Sequence, residues 1–303
     1  MRQLVLRFVW PETVAAAVAV WLAAALGLGL ATSAGAVPTA GLMTLGLLLG
    51  GLLLQIRHSL DLASRLDQLG RENMRVMKGI ERGVERAKAG AEHQAKQAFS
   101  QLEALQNLNA VLPVSGVLPA TRGWAASPDL LLTLVDLVIT ERPSLVLECG
   151  SGASTLWLAL AMRRFGIDGR IVALDHEPEY AGKTRDLLAR HDVAGLAEVR
   201  DAPLESFSLD DETYRWYARE TWEDLEEIDL LFVDGPPAVT GPKARYPALP
   251  LLAKSLSPRV TVVADDLIVP DMQETVRLWL GSHPDFSSEI LPLEKQAAVL
   301  RRG

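Results

Sequence analysis

Apolar and polar positions divide the chain into three regimes. From Thr13 to Ile56 no residue is charged, about twice the roughly 20 residues that one membrane-crossing helix requires. The middle of that run, Ala31-Thr32-Ser33-Ala34-Gly35-Ala36-Val37-Pro38-Thr39, is small and turn-prone. The pattern predicts a two-helix transmembrane hairpin over 1–56, with helices near 12–33 and 38–56. Over 57–110 it becomes that of a long helix: Leu62, Leu66, Leu69, Asn73, Val76 and Ile80 follow a 4-3 spacing. After Gly83 the frame shifts by one to Val84, Ala87, Ala91, Ala95, Ala98, Leu102 and Leu105. Sustained 3.5-residue spacing with charges between predicts a coiled-coil stalk that pairs with a second copy. A solitary amphipathic helix is the alternative.

From 111 to 303 short apolar runs alternate with helical patterns, as α/β units do. Pro113, Gly116, Pro119 and Gly123 mark a linker, and Ser127-Pro128-Asp129 opens a helix over 128–141 with a cap, a Pro at the first position and an acid in the first turn. Strands are predicted at 145–149, 171–175, 196–200, 228–234 and 260–264, helices at 154–165, 178–191, 246–256 and about 270–280. A hairpin of 286–291 with 297–301 closes the chain. The predicted class is α/β, with sheet order 3-2-1-4-5 plus a C-terminal antiparallel hairpin. Each core strand ends at a carboxylate, and ligands of open α/β sheets bind at those ends. Between the third and fourth strands, Tyr214, Trp216, Tyr217 and Trp222 alternate with acids; they wall a substrate pocket or, the favoured reading, pack a helix on the sheet.

Charge sharpens this division. Residues 1–56 carry +1 and 57–110 carry +2, so 111–303 holds −11 of the net −8. An acidic globular part argues against nucleic acid as a partner. Arg2 and Arg7 before the uncharged run, and Arg57, Arg65 and Arg71 after it, place both ends of the hairpin on the cytoplasmic face of the membrane. Ala34-Gly35-Ala36 also resembles a processing site, but the first apolar run is too long for a signal core and a second follows at once. Cys149 is the single Cys, which suits a reducing compartment and reads as a packed thiol.

The candidate chemistry begins at Leu145-Val146-Leu147-Glu148-Cys149-Gly150-Ser151-Gly152-Ala153-Ser154-Thr155. Gly150 and Gly152 let backbone approach a ligand, and Ser154 or Thr155 caps the helix whose free N–H groups face it. A dinucleotide fingerprint wants a third Gly where Thr155 stands. An acidic strand end with two glycines resembles instead the first motif of class I S-adenosylmethionine-dependent methyltransferases, whose sheet is Rossmann-like. That resemblance implies a cofactor site of Glu148, Gly150, Ser151, Gly152 and Ser154. Asp175, beside His176, lies some 20 residues on, where an acid can bond both ribose hydroxyls; Asp201, beside Ala202, can meet the adenine.

Asp234, Asp265 and Asp266 carry the second argument. At adjacent strand ends, three carboxylates repel unless protonated or bridged by a cation. A hard divalent ion such as Mg²⁺ satisfies them and activates a substrate hydroxyl. Asp234 followed by Lys243-Ala244-Arg245-Tyr246, with Val263-Ala264-Asp265-Asp266, resembles the metal-dependent catechol O-methyltransferase group. There the corresponding acids bind Mg²⁺ and a Lys before Arg-Tyr is the base, which makes Lys243 the candidate base beside Asp234. Gly123-Trp124-Ala125-Ala126-Ser127-Pro128 ahead of the Gly loop resembles bacterial cephalosporin-type and rhamnosyl methyltransferases. The resemblance covers about 120–303. It implies an O-methyltransferase and does not extend to the hairpin or the stalk; the hairpin, read separately, would hold that enzyme at the cytoplasmic membrane face, near a lipid-linked or glycan hydroxyl. A non-catalytic membrane-tethered scaffold and a nicotinamide-dependent oxidoreductase are the alternatives.

Overall fold

The structure, a computed structural model, describes residues 37–303 except 115, 122 and 124 and, before 37, only 16, 19, 20, 23, 24, 26 and 27. Its helices are α1 (Val37–Val111), α2 (Pro128–Glu141), α3 (Ala153–Phe165), α4 (Pro178–Arg190), α5 (Ala248–Leu252) and α6 (Pro270–Ser282). The strands are β1 (Leu145–Cys149), β2 (Arg170–Asp175), β3 (Ala197–Asp201), β4 (Leu204–Leu209), β5 (Glu212–Tyr217), β6 (Ile228–Val233), β7 (Leu256–Ala264), β8 (Phe286–Leu291) and β9 (Ala297–Arg302).

Seven strands form one sheet in the order β3-β2-β1-β6-β7-β9-β8. It is parallel as far as β7, and β9 then runs antiparallel between β7 and β8. This is the predicted 3-2-1-4-5 order with its terminal hairpin. The continuous apolar runs have their reason in two covered faces. Val146, Ile171, Ala173, Leu230 and Phe232 point into a core with α2, α3 and α4. Leu145, Leu147, Val172, Leu174, Leu231 and Val233 point into a second core with α5, α6 and the β4–β5 hairpin.

Three expectations change. Within 203–227 no α-helix packs on the sheet: Leu204–Tyr217 folds as the β4–β5 hairpin, with Trp216 and Tyr217 fully buried on it and Tyr217 lining the cavity described below, and a single 3-10 turn follows at Arg219–Thr221. Asp210 and Asp211 make its two-residue turn, both at positive φ (49° and 65°), the backbone of a type I′ hairpin. The helix expected over 246–256 shortens to α5, because the chain must already turn into β7 at Leu256.

The third change concerns the N-terminal third. Helix α1 runs without a break from the second predicted span through the predicted stalk. Among the described residues no helix is long and apolar enough to cross a membrane, so the two-span hairpin gains no support. The first span, 12–33, lies mostly outside the described residues. The chain divides into compact units 1–90 and 91–303. The second therefore begins inside α1, some 20 residues ahead of the expected boundary. Its first residues pack into the core through Ala104, Leu108 and Leu112. Gln101 donates to Asp129 Oδ2 at 2.7 Å and accepts from the Asp129 N–H at 3.2 Å. The same Oδ2 accepts the Glu294 N–H at 2.8 Å.

Candidate functional site

Backbone hydrogen bonds continue one residue past the strands and fix the rim. Gly150 N–H reaches Leu174 O (2.9 Å), Asp234 N–H reaches Cys149 O (3.0 Å), and Asp265 N–H reaches Val233 O (3.2 Å). The acids therefore stand at one level above adjacent strands. The rim lines a cavity of about 920 Å³ whose wall includes Glu148, Ser151, Asp175, Asp234, Arg245 and Asp266. That volume suits a ligand of cofactor size.

On the β1–β2 side, Gly150 takes a φ of +106°, which a side chain at that position would resist. Thr155 explains its own place in the motif. Its hydroxyl donates to Glu148 Oε2 at 2.7 Å and accepts the Gly152 N–H at 3.0 Å, fastening loop, helix and strand together. Glu148 Oε1 is buried and takes no hydrogen bond. Burial pushes the Glu148 carboxyl up to about 7, against the lowering effect of the Ser154 and Thr155 hydroxyls. That buried oxygen lacks a donor, and Glu148 is one of the residues that line the cavity. Ser151 Oγ donates to Asp175 Oδ2 at 2.6 Å, and Asp175 Oδ1 accepts the Glu177 N–H at 3.0 Å. Both oxygens keep lone pairs for a ligand. The His176 ring lies 3.7 Å from Glu177 and 4.0 Å from Asp175.

Of the cofactor residues predicted, Glu148, Gly150, Ser151, Gly152, Ser154, Asp175 and His176 line this cavity. Asp201 and Ala202 do not. Asp201 is half exposed and paired with Arg185 at 2.7 Å, while Ala202 is fully buried and donates its N–H to Asp175 O. Burial pushes the Cys149 thiol up, in keeping with a packed thiol.

On the β6–β7 side, Asp234, Asp265 and Asp266 converge, with one oxygen of each within 4.8 Å of the others. The cation between them is Arg245. Its Nη2 lies 2.8 Å from Asp266 Oδ2, 3.2 Å from Asp234 Oδ1 and 2.8 Å from Asp234 O, and its Nη1 donates to Asp265 O at 3.2 Å. Lys295 Nζ stands 3.4 Å from Asp266 Oδ1 and 4.0 Å from Asp265 Oδ2. Burial pushes Asp234 and Asp265 up, and the cations pull both back. The residues in this arrangement do not fit a divalent ion. Mg²⁺ needs oxygen atoms at ~2.1 Å in octahedral array; here Asp234 Oδ1 and Asp266 Oδ2 already hold a guanidinium, and of the three acids only Asp265 has an oxygen, Oδ2, buried without a hydrogen bond.

Lys243 lines the cavity but is not poised as a base. Its Nζ is paired with Glu212 on β5 at 2.7 Å, and that bond raises its pKa and holds the proton. Sequence reasoning missed Arg245 and Lys295 as site residues. Arg245 sat within the quoted Lys243-Ala244-Arg245-Tyr246; Lys295, in the turn of the terminal hairpin, carried no signal.

Residues 147–267 match a methyltransferase domain family. No curated protein matches the chain as a relative. Among solved structures, the chain is similar to the SAH-bound methyltransferase PaMTH1 of Podospora anserina. That pair shares 16% identity, with 67% of this chain and 87% of that one covered and a TM-score of 0.48. It is also similar to an O-methyltransferase of Bacillus cereus in complex with SAH, at 21% identity, 67% and 91% coverage and a TM-score of 0.46. A third similarity is to the O-methyltransferase TomG of Streptomyces achromogenes in complex with SAM, at 20%, 67% and 88%, and 0.45.

Proposed function

We propose that the globular part of this chain, in which residues 147–267 match a methyltransferase domain family, is a class I S-adenosylmethionine-dependent methyltransferase, that it methylates a hydroxyl group and that Asp234 accepts the hydroxyl proton. One observation carries the reading: a single cavity joins the orphaned Glu148 oxygen and Asp175 to the Asp234 carboxylate. Bound S-adenosylmethionine supplies an electrophilic methyl group next to a sulfonium. Glu148 Oε1 takes the ammonium of the cofactor's methionine part, and Asp175 takes the ribose hydroxyls. Asp234 follows β6 directly beside the Gly loop, with its carbonyl carbon 3.8 Å from where a Cβ on Gly150 would stand. The Asp234 carboxylate would take the proton of an acceptor hydroxyl held in this cavity as that oxygen receives the methyl group the cofactor supplies. Positioning the two reactants is the larger part of the acceleration.

The reading extends to where the enzyme works. Leu47, Leu48, Leu49, Leu52, Leu53, Leu54 and Ile56 of α1 are all exposed, and a helix apolar all round needs an apolar surrounding. This supports contact with a lipid surface and an acceptor found there.

Titration of S-adenosylmethionine into the full chain tests the function. Wild type binds, Asp175→Ala binds at least about tenfold more weakly, and Asp234→Asn binds normally but turns over about 10²-fold more slowly with any hydroxyl acceptor. Lys243→Met stays within a few-fold of wild type. Failure of the wild type to bind the cofactor ends this reading.

A further inference from the structure

We propose that Arg245 is the resident cation of the acidic rim: it holds Asp234 and Asp266 in the place of a divalent ion, so that methyl transfer by this chain needs no metal. The catalytic half of the inference rests on the methyltransferase reading; the cation half rests on the geometry alone.

The guanidinium is built into the site rather than laid over it. It is 13% exposed and touches the backbone oxygen of both acid-bearing turns, Asp234 O and Asp265 O, as well as two carboxylates. Its planar fork suits several oxygens at once, which an ammonium would not. The turn that delivers it is fixed on the cavity wall: Lys243 sits at a φ of +48° and gives its N–H to Asp271 Oδ2 at 2.6 Å. Three carboxylates face two side-chain cations, Arg245 and Lys295, so the cluster carries a formal charge of −1. A divalent ion added to it would make the cluster +1 and would sit against the guanidinium within a few ångströms, a repulsion that the buried setting strengthens.

The consequence for the reaction is positional. Arg245 bonds Asp234 Oδ1 and the Asp234 carbonyl. Asp234 itself lines the cavity, and its Oδ2 is the carboxylate oxygen that Arg245 does not bond. Arg245 is thus a positioning residue for the proton acceptor, and it does the orienting that a metal would otherwise do.

The probe is Mn²⁺ alone, titrated into the full chain and followed by the loss of its free paramagnetic resonance signal. Wild type is expected to bind no stoichiometric Mn²⁺ up to about 1 mM, a range set by the weak, exposed acidic sites any protein offers. Arg245→Met uncovers the three acids and gains one site at least about tenfold tighter; Asp266→Asn added to it removes that site. Arg245→Lys keeps the charge and stays free of Mn²⁺. If Arg245→Met fails to fold, the wild-type and Arg245→Lys titrations still decide. One equivalent of Mn²⁺ bound by wild type and lost in Asp266→Asn overturns the proposal, as does an Arg245→Met protein that folds and binds no tighter than wild type. S-adenosylmethionine binding by the same preparations reports separately on the methyltransferase reading, so failure of one is not failure of the other.

Discussion

Glu148 holds an unbalanced charge, and its protonation therefore couples to ligand binding. Without cofactor its carboxyl is raised to about 7 from 4.5, chiefly by burial. The unfolded chain releases this proton first, so the cofactor-free protein loses stability as pH rises from about 4.5 to about 7 and no further above it. Cofactor binding has the opposite sign. The ammonium needs the carboxylate, so affinity for S-adenosylmethionine falls by up to about tenfold per unit below pH ~7 and levels off above. Calorimetry at about pH 6 and about pH 8 measures this, and Glu148→Gln flattens the profile. A wild-type affinity that does not change with pH removes the ammonium role from Glu148. At this scale the sequence was legible where a residue's role is set by its neighbours in the chain, as for Gly150 and Thr155. Arg245 reaches acids on two other loops, and Lys243 meets Glu212 across 31 residues. Such pairings depend on tertiary placement that no local pattern encodes.

The elements were legible for a related reason. Strands buried on both faces must be apolar throughout, and that pattern, with Pro128, Pro178 and Pro270 at helix starts, marks the α/β core. The β4–β5 hairpin escaped because its turn is Asp210-Asp211 rather than Asn-Gly or Asp-Gly, the pairs that announce a type I′ turn. Its alternation of aromatic and acidic residues also suits one face of a helix. The turn makes its own prediction. Asp211 pays for a left-handed backbone that Gly adopts freely, whereas Asp210 is needed to accept the Tyr246 hydroxyl at 2.7 Å. Asp211→Gly is expected to stabilise the protein by about 0.5–1 kcal/mol, read from the midpoint of urea unfolding. A loss of stability would mean that the side chain, not the backbone, holds the turn.

For the whole molecule the boundary matters most. The domain read from sequence began at 111, where Pro and Gly cluster, because the periodicity of α1 gives no sign of where its exposed part ends. Leu108 is fully buried and Gln101 is bonded to Asp129, so the fragment 91–303 keeps the melting temperature of the full domain. The fragment 111–303 loses Leu108 and the Gln101 bonds and is destabilised by at least about 2–5 kcal/mol, the usual cost of emptying a buried leucine site. Thermal unfolding of the two fragments decides. The full chain sediments with lipid vesicles and 91–303 does not, if the exposed leucines of α1 meet lipid.

Asp129 binds Gln101 on one side and Glu294 on the other, and these partners leave the ribosome far apart in time. Glu294 is made 165 residues after Asp129, roughly 10–30 s later at ordinary rates of elongation. Through that interval the last turns of α1 have their glutamine and leucines ready and their socket incomplete. The last turns of α1, made early, therefore gain their final hydrogen-bonded support only when the terminal hairpin has emerged.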